Sequence, residues 1–156
     1  MSVAIPPELD RIYLAGPLFC EGTRAWHRAT KARIEAETGR GVVWPYELFD
    51  PEDIPGWGQD APRKVMEACR DALAVCSLVV ALLDGPQVDD GTAWEIGFAH
   101  ARCIPVIGVR TDFRLAGDVP GSLVNAMIQA SCERIVTSTD ELLRVLRERA
   151  AGRRGR

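Results

Sequence analysis

Four acids crowd one short stretch of the chain: Asp84, Asp89, Asp90 and Glu95 in DGPQVDDGTAWEIG, residues 84–97. Carboxylates grouped in this way can attack an electrophilic carbon, bind hydroxyls or move protons. Glu95 falls in the first turn of a helix expected over 91–102, where the helix N-terminus carries about half a positive charge. A carboxylate there is expected to be ionised and nucleophilic at neutral pH. Asp89 and Asp90 belong to the preceding loop, and Gly91 allows close backbone approach to a ligand. An architectural reading competes: Thr92-x-x-Glu95 has the spacing of a capping box, worth about 1 kcal/mol. A cap alone does not need three aspartates.

Other chemistries lack their residues. The two histidines, His27 and His100, have no metal-ligand spacing, and no Ser or Cys sits in a nucleophile elbow. The five cysteines form no C-x-x-C pair and read as reduced, mostly buried thiols. No metal and no organic cofactor is therefore expected.

Apolar runs and amphipathic stretches alternate along the chain. Strands are expected at 11–15, 41–44, 77–83, 104–109 and 134–136, the third a continuous apolar run of the kind covered on both faces. Helices are expected at 26–37, 63–75, 91–102, 122–130 and 140–149, the last opened by a capping box of Ser138 and Glu141. Residues 46–62, rich in proline, read as a long functional loop. This alternation predicts an α/β fold: a doubly wound, five-stranded parallel sheet of flavodoxin-like order 2-1-3-4-5 in a three-layer sandwich. Ligands of such sheets bind beyond the carboxyl ends of the strands, at the switch between the first and third. Residues 16–21 and 84–95 are then the walls of the site, which places the acids in a crevice.

Composition sets the outer bounds. At 156 residues, 47% hydrophobic and 26% charged, the chain reads as one domain over 1–150 with a frayed basic tail at 151–156. Its formal charge of −3 argues against a nucleic acid polymer as partner. No apolar run is long enough to span a membrane, and the first ten residues lack the layout of a secretory leader. A cytoplasmic protein is expected.

Several motifs resemble the nucleoside 2-deoxyribosyltransferase family: IYLAGP at 12–17, LLDG at 82–85, D-x-G-T-A-W-E-I-G at 89–97 and VNAMI at 124–128. The match runs over about 11–146. The resemblance implies a nucleophilic Glu95 that attacks C1′ of a 2′-deoxynucleoside, releases the base and is displaced by a second base with net retention. It implies that the Tyr13 hydroxyl orients Glu95, and that Asp89 binds sugar hydroxyls, chiefly the 5′-OH. A carboxylate at 89 would repel a phosphate dianion, so unphosphorylated nucleosides are favoured. Asn125 matches a residue that reaches into a neighbouring subunit's pocket, which implies a homodimer or higher homo-oligomer with shared sites. The partners implied are nucleosides and free nucleobases.

One position departs from the family. The acid that handles the proton on the base aligns, without gaps, with Cys69; a small gap would bring in Asp71, which is taken as the candidate. Cys69 and Cys76 otherwise read as core. Gly16 and Phe19 stand in the first wall as substrate-facing positions, with Phe19 and Trp57 able to stack on a base. Trp44 and Trp94 read as packing residues, while Arg110 and Asp112 either shape the pocket or form a surface ion pair. Two alternatives stay open: an N-glycosidase using the same glutamate, and a nucleotide-sensing module without catalysis.

Overall fold

The computed structural model of the protein describes residues 10–154; the leader reading of residues 1–9 and the last two residues of the basic tail lie outside them. Strands β1 (Ile12–Ala15), β2 (Val42–Val43), β3 (Leu78–Leu82), β4 (Val106–Val109) and β5 (Arg134–Val136) pair in parallel in the order β2-β1-β3-β4-β5. This is the expected flavodoxin-like order. Helices α1 (Glu21–Thr38) and α5 (Thr139–Arg154) cover one face. On the other face lie α2 (Ala61–Ala74), α3 (Asp90–Ala101) and α4 (Ala126–Ser131), which completes three layers.

Successive strand residues point to opposite faces. Ile12, Leu14, Leu78 and Val80 enter the core under α1 and α5, whereas Tyr13, Ala15, Val79 and Ala81 enter the core under α2 and α3. Each fully buried Leu, Ile or Val contributes roughly 1.5–3 kcal/mol, so the register is strongly specified. The same alternation turns Tyr13 toward α3.

Helix boundaries move where a cap acts. α1 begins at Glu21, five residues before the expected start at 26, because the Cys20 sulfur accepts the Thr23 N–H at 3.4 Å. α4 begins at Ala126, not 122, because Asn125 caps it; residues before it form a loop. At the start of α5 the Ser138 hydroxyl accepts the Glu141 N–H as expected, but Glu141 reaches back to Thr137 N–H instead of Ser138. α5 also runs through Arg154, so residues 151–154 are helical where a frayed tail was expected; Ala150 and Ala151 are strong helix formers that extend it.

The proline-rich segment is wound tighter than a loop. It forms two 3-10 turns, Pro45–Glu47 and Ile54–Asp60, the second kinked at Gly58, whose φ of +54° favours glycine. Trp44 is buried, as expected of a core residue.

Candidate functional site

Glu95 owes its place to helical periodicity. Thr92, Glu95, Ile96 and Ala99 form the buried stripe of α3, the side turned to the sheet. A carboxylate in that stripe is carried inward with its apolar neighbours, and it meets Tyr13 of β1. The Tyr13 hydroxyl donates to Glu95 Oε1 at 2.6 Å, a contact between residues 82 apart in sequence. Tyr13 is fully buried, and among the described residues it is the one donor to Glu95.

The helix geometry overturns the expected electrostatics. α3 starts at Asp90, so Glu95 is its sixth residue, beyond the first turn where the dipole acts. Burial therefore dominates and raises the Glu95 carboxyl to about 7. The Tyr13 hydrogen bond pulls in the opposite direction, and the nearby charge of Asp89 pushes further up. Close to neutrality the group is thus divided between acid and carboxylate, where full ionisation was expected. Tyr13 is raised far above its ordinary range, first by burial and then by the Glu95 charge, so it remains a donor.

The capping box also falls. Thr92 lies inside α3, and the cap is Asp89, whose Oδ2 accepts both the Thr92 N–H and the Thr92 hydroxyl at 3.0 Å. Asp90, expected in the preceding loop, is exposed in the first turn of α3. Glu95 is thereby released from any capping duty.

Glu95 opens onto a cavity of about 480 Å³ between α2, α3 and the Ile54–Asp60 turn. Its walls include Ile54, Val65, Met66, Cys69 and Trp94, with Gly91 at the α3 end. Gly91 thus lines the cavity that Glu95 opens onto. Cys69, read from sequence as core, faces this cavity and contacts the Tyr13 hydroxyl; burial and the Glu95 charge raise its thiol. Cys69 thus stands beside Glu95 and Tyr13. Trp94 was read as packing and does stack on Phe98 at 5.5 Å, yet it is half-exposed and forms part of the wall.

Other candidates stand apart. Asp71 is exposed and paired with Arg70 at 2.8 Å, outside the cavity wall. A shift of two positions from Cys69 turns it about 200° around α2, away from Glu95. Phe19 is 81% exposed and Trp57 packs edge-to-face on Phe49 at 5.9 Å; neither lines the cavity. Asn125 is exposed, with its oxygen accepting Met127 N–H and its amide donating to Asp118 at 2.6 Å. It does not join the Glu95 cavity of its own chain.

Gly16 has a structural reason for its identity. With φ of +155°, a Cβ there would lie 2.3 Å from Nε2 of His27, which is wholly buried beneath the end of β1. His27 holds the Thr23 carbonyl at 2.7 Å, and burial lowers its pKa, so the neutral ring donates from Nδ1. Gly16 thus lets β1 end against this ring. Arg110 is buried and bonds the carbonyls of Leu83, Gly85 and Arg114, while Asp84 accepts the N–H groups of Thr111 and Asp112. Asp112 pairs with Arg114, not with Arg110. Neither Arg110 nor Asp112 shapes the cavity wall. Among the described residues, no group of three or more His, Cys, Asp or Glu is placed to hold a metal ion.

A doubly wound α/β sheet with a buried carboxylate held by a tyrosine of its first strand defines the class. The sequence profile of the nucleoside 2-deoxyribosyltransferase family matches residues 12–127, and the chain belongs to that family. Its fold is similar to a conserved protein of Enterococcus faecalis V583 (TM-score 0.77, 26% identity, 90% of this chain and 98% of that one). It is also similar to 2-deoxyribosyltransferases from Bacillus psychrosaccharolyticus (TM-score 0.66, 22% identity, 85% and 90% covered) and Leishmania mexicana (TM-score 0.65, 19% identity, 85% and 93% covered). These last two likenesses show the shared fold. No curated protein matches the chain in sequence. Among the described residues, no helix is long and apolar enough to cross a membrane.

Proposed function

We propose that the protein exchanges bases between 2′-deoxyribonucleosides, with Glu95 as the nucleophile. The observation that carries this reading is the 2.6 Å bond from the Tyr13 hydroxyl to one oxygen of a buried glutamate that opens onto a cavity. Tyr13 fixes Oε1 and leaves Oε2 to attack C1′. The C1′–N bond breaks, its electron pair leaves with the first base, and that base takes a proton. A ring nitrogen of the second base then attacks C1′, the Glu95 ester bond breaks, and the incoming base gives up a proton. Two inversions yield net retention. Because Asp71 stands outside the cavity, the departing base takes its proton from water or from another acid.

Asp89 serves this reading twice, as the cap of α3 and as an acid whose charge reaches Glu95 from the α3 N-terminus. Its charge disfavours a phosphorylated sugar, and its free Oδ1 is available to a sugar hydroxyl. Asn125 serves the site of a second copy, with exposed Phe113, Leu115 and Met127 covered by self-association. Five free cysteines fit a reducing cytosol as the place of reaction.

The test is incubation with deoxyinosine, with and without free adenine, followed by chromatography. New deoxyadenosine is the expected product. Hypoxanthine release at a rate independent of adenine would instead assign a hydrolase, and nucleoside binding without turnover a sensing module.

A further inference from the structure

The cavity beside Glu95 is unusual in what its walls lack. A deoxynucleoside has one end that needs polar partners, the sugar, and one that is flat and largely apolar, the base. When C1′ reaches Glu95, the two ends must lie on opposite sides of that carboxylate. The polar side is the α3 N-terminus, with Asp89 and Asp90. The other side is the cavity, where Ile54, Pro62, Val65 and Met66 present hydrocarbon and a thioether, and Trp94 presents part of a half-exposed ring. The base therefore enters the cavity.

Apart from Glu95, no side chain of this wall carries an oxygen, and the side-chain heteroatoms are the Met66 and Cys69 sulfurs and the Trp94 indole nitrogen. The thiol and the indole can donate; the side chains offer no good acceptor. An exocyclic amino group brought against them leaves its water partners and finds none in return, a loss of about tenfold for a cost near 1.4 kcal/mol. A base without that group keeps the stacking and the apolar contact and avoids the loss. A hydrophobic wall discriminates by size and desolvation instead of by reading an edge.

Building on the proposed base exchange, we infer that this cavity selects its base by stacking and desolvation, and that it prefers bicyclic heterocycles without an exocyclic amino group over amino-bearing bases of the same size. Benzimidazole and unsubstituted purine are then better ligands and better acceptors than adenine.

Calorimetric titration of the wild-type protein with free benzimidazole, purine and adenine tests this without any reaction, since no sugar donor is present. The expected order of affinity is benzimidazole, purine, adenine, with about tenfold between the ends. Adenine binding as tightly as benzimidazole, or no binding of any base, overturns the inference. Met66→Gln places an amide oxygen in the wall and should narrow the gap several-fold in adenine's favour; an unchanged ratio overturns the placement of the base. Base exchange measured in parallel separates the two readings. Exchange with adenine preferred removes this inference alone, whereas benzimidazole preference without exchange supports the cavity's selectivity and removes the reaction.

Discussion

Two buried charges lie beside the central strands, and they are held in opposite ways. Arg110, 4% exposed, engages both terminal nitrogens with the carbonyls of Leu83, Gly85 and Arg114. It clamps the turn after β3 to the loop after β4. Glu95, 8% exposed, has one hydrogen bond among the described residues, to Tyr13, and otherwise faces a largely apolar cavity. The first charge is surrounded by dipoles that it organises; the second is left short of them. A buried charge with its main partners in place is architecture, and one held by a single partner beside a cavity is poised for chemistry.

Removing the under-solvated charge gives the largest effect. Glu95→Gln is expected to lower base exchange by at least about 10³-fold, read by chromatography. The same substitution should change the pH dependence of stability. The folded protein holds a proton on Glu95 up to about pH 7, whereas the unfolded chain releases it near 4.5. Wild-type stability therefore falls as pH rises through that window, by about 3 kcal/mol in all, and the Gln variant lacks this loss. Urea unfolding at pH 5 and pH 9 should show the variant gaining on wild type at the higher pH. A pH-independent difference would mean that Glu95 ionises freely, which would erase the contrast with Arg110.

Arg110→Met tests the other half. It strips hydrogen bonds from three carbonyls, and about 2–4 kcal/mol of stability should go with them. Urea titration measures this loss, while the folded variant keeps its base-exchange rate within a few-fold. A large fall in rate with little loss of stability would move Arg110 from architecture into the reaction.

Tyr13→Phe acts more gently on the chemical side. It removes the donor that lowers the Glu95 pKa, so the midpoint of the rise in kcat/KM with pH should move from about 7 to a higher value. Only the ionised glutamate attacks, so activity rises with pH on either side of the substitution. The loss of orientation should cost roughly 10–100-fold on the plateau. A rate profile that keeps its midpoint would mean that the hydroxyl does not bond the attacking group.

The sheet order could be read in advance because each strand is a short apolar run bounded by turn residues, and parallel crossovers allow few arrangements. Tyr13 and Glu95 were paired in advance by the family resemblance alone; the structure supplies the physical reason, since the alternation of β1 and the 92–95–96–99 stripe of α3 both point inward. The cavity wall was not legible. Val65, Met66, Cys69 and Leu73 repeat at helical spacing on α2, a pattern identical for a stripe that covers a core and one that lines a void. Leu73 proves to be core and Cys69 to be wall. Asn125 was placed inside a helix by an expected start at 122, and its capping of α4 was missed because an asparagine there serves equally as ligand or cap. The Glu95 ionisation was misjudged because even a start at Gly91 makes it the fifth residue, past the first turn, and because its burial, the largest cause of its raised pKa, was not weighed.

Asp71 offers the smallest effect and the finest discrimination. Its carboxylate is 68% exposed and bonded to the adjacent Arg70, a surface pair of the kind that contributes about 0–1 kcal/mol. Asp71→Asn should therefore leave both base exchange and the unfolding midpoint within about twofold and 1 kcal/mol of wild type. The comparison with Cys69→Ala sharpens it, because that change alters the cavity wall beside Glu95 and Tyr13 without touching any exposed charge. Emptying the Cys69 site should shift KM for the base several-fold while Asp71→Asn leaves it unmoved. If the order reversed, with Asp71 controlling the rate, α2 would have to present its other face to the substrate, and the proton for the departing base would come from Asp71 after all.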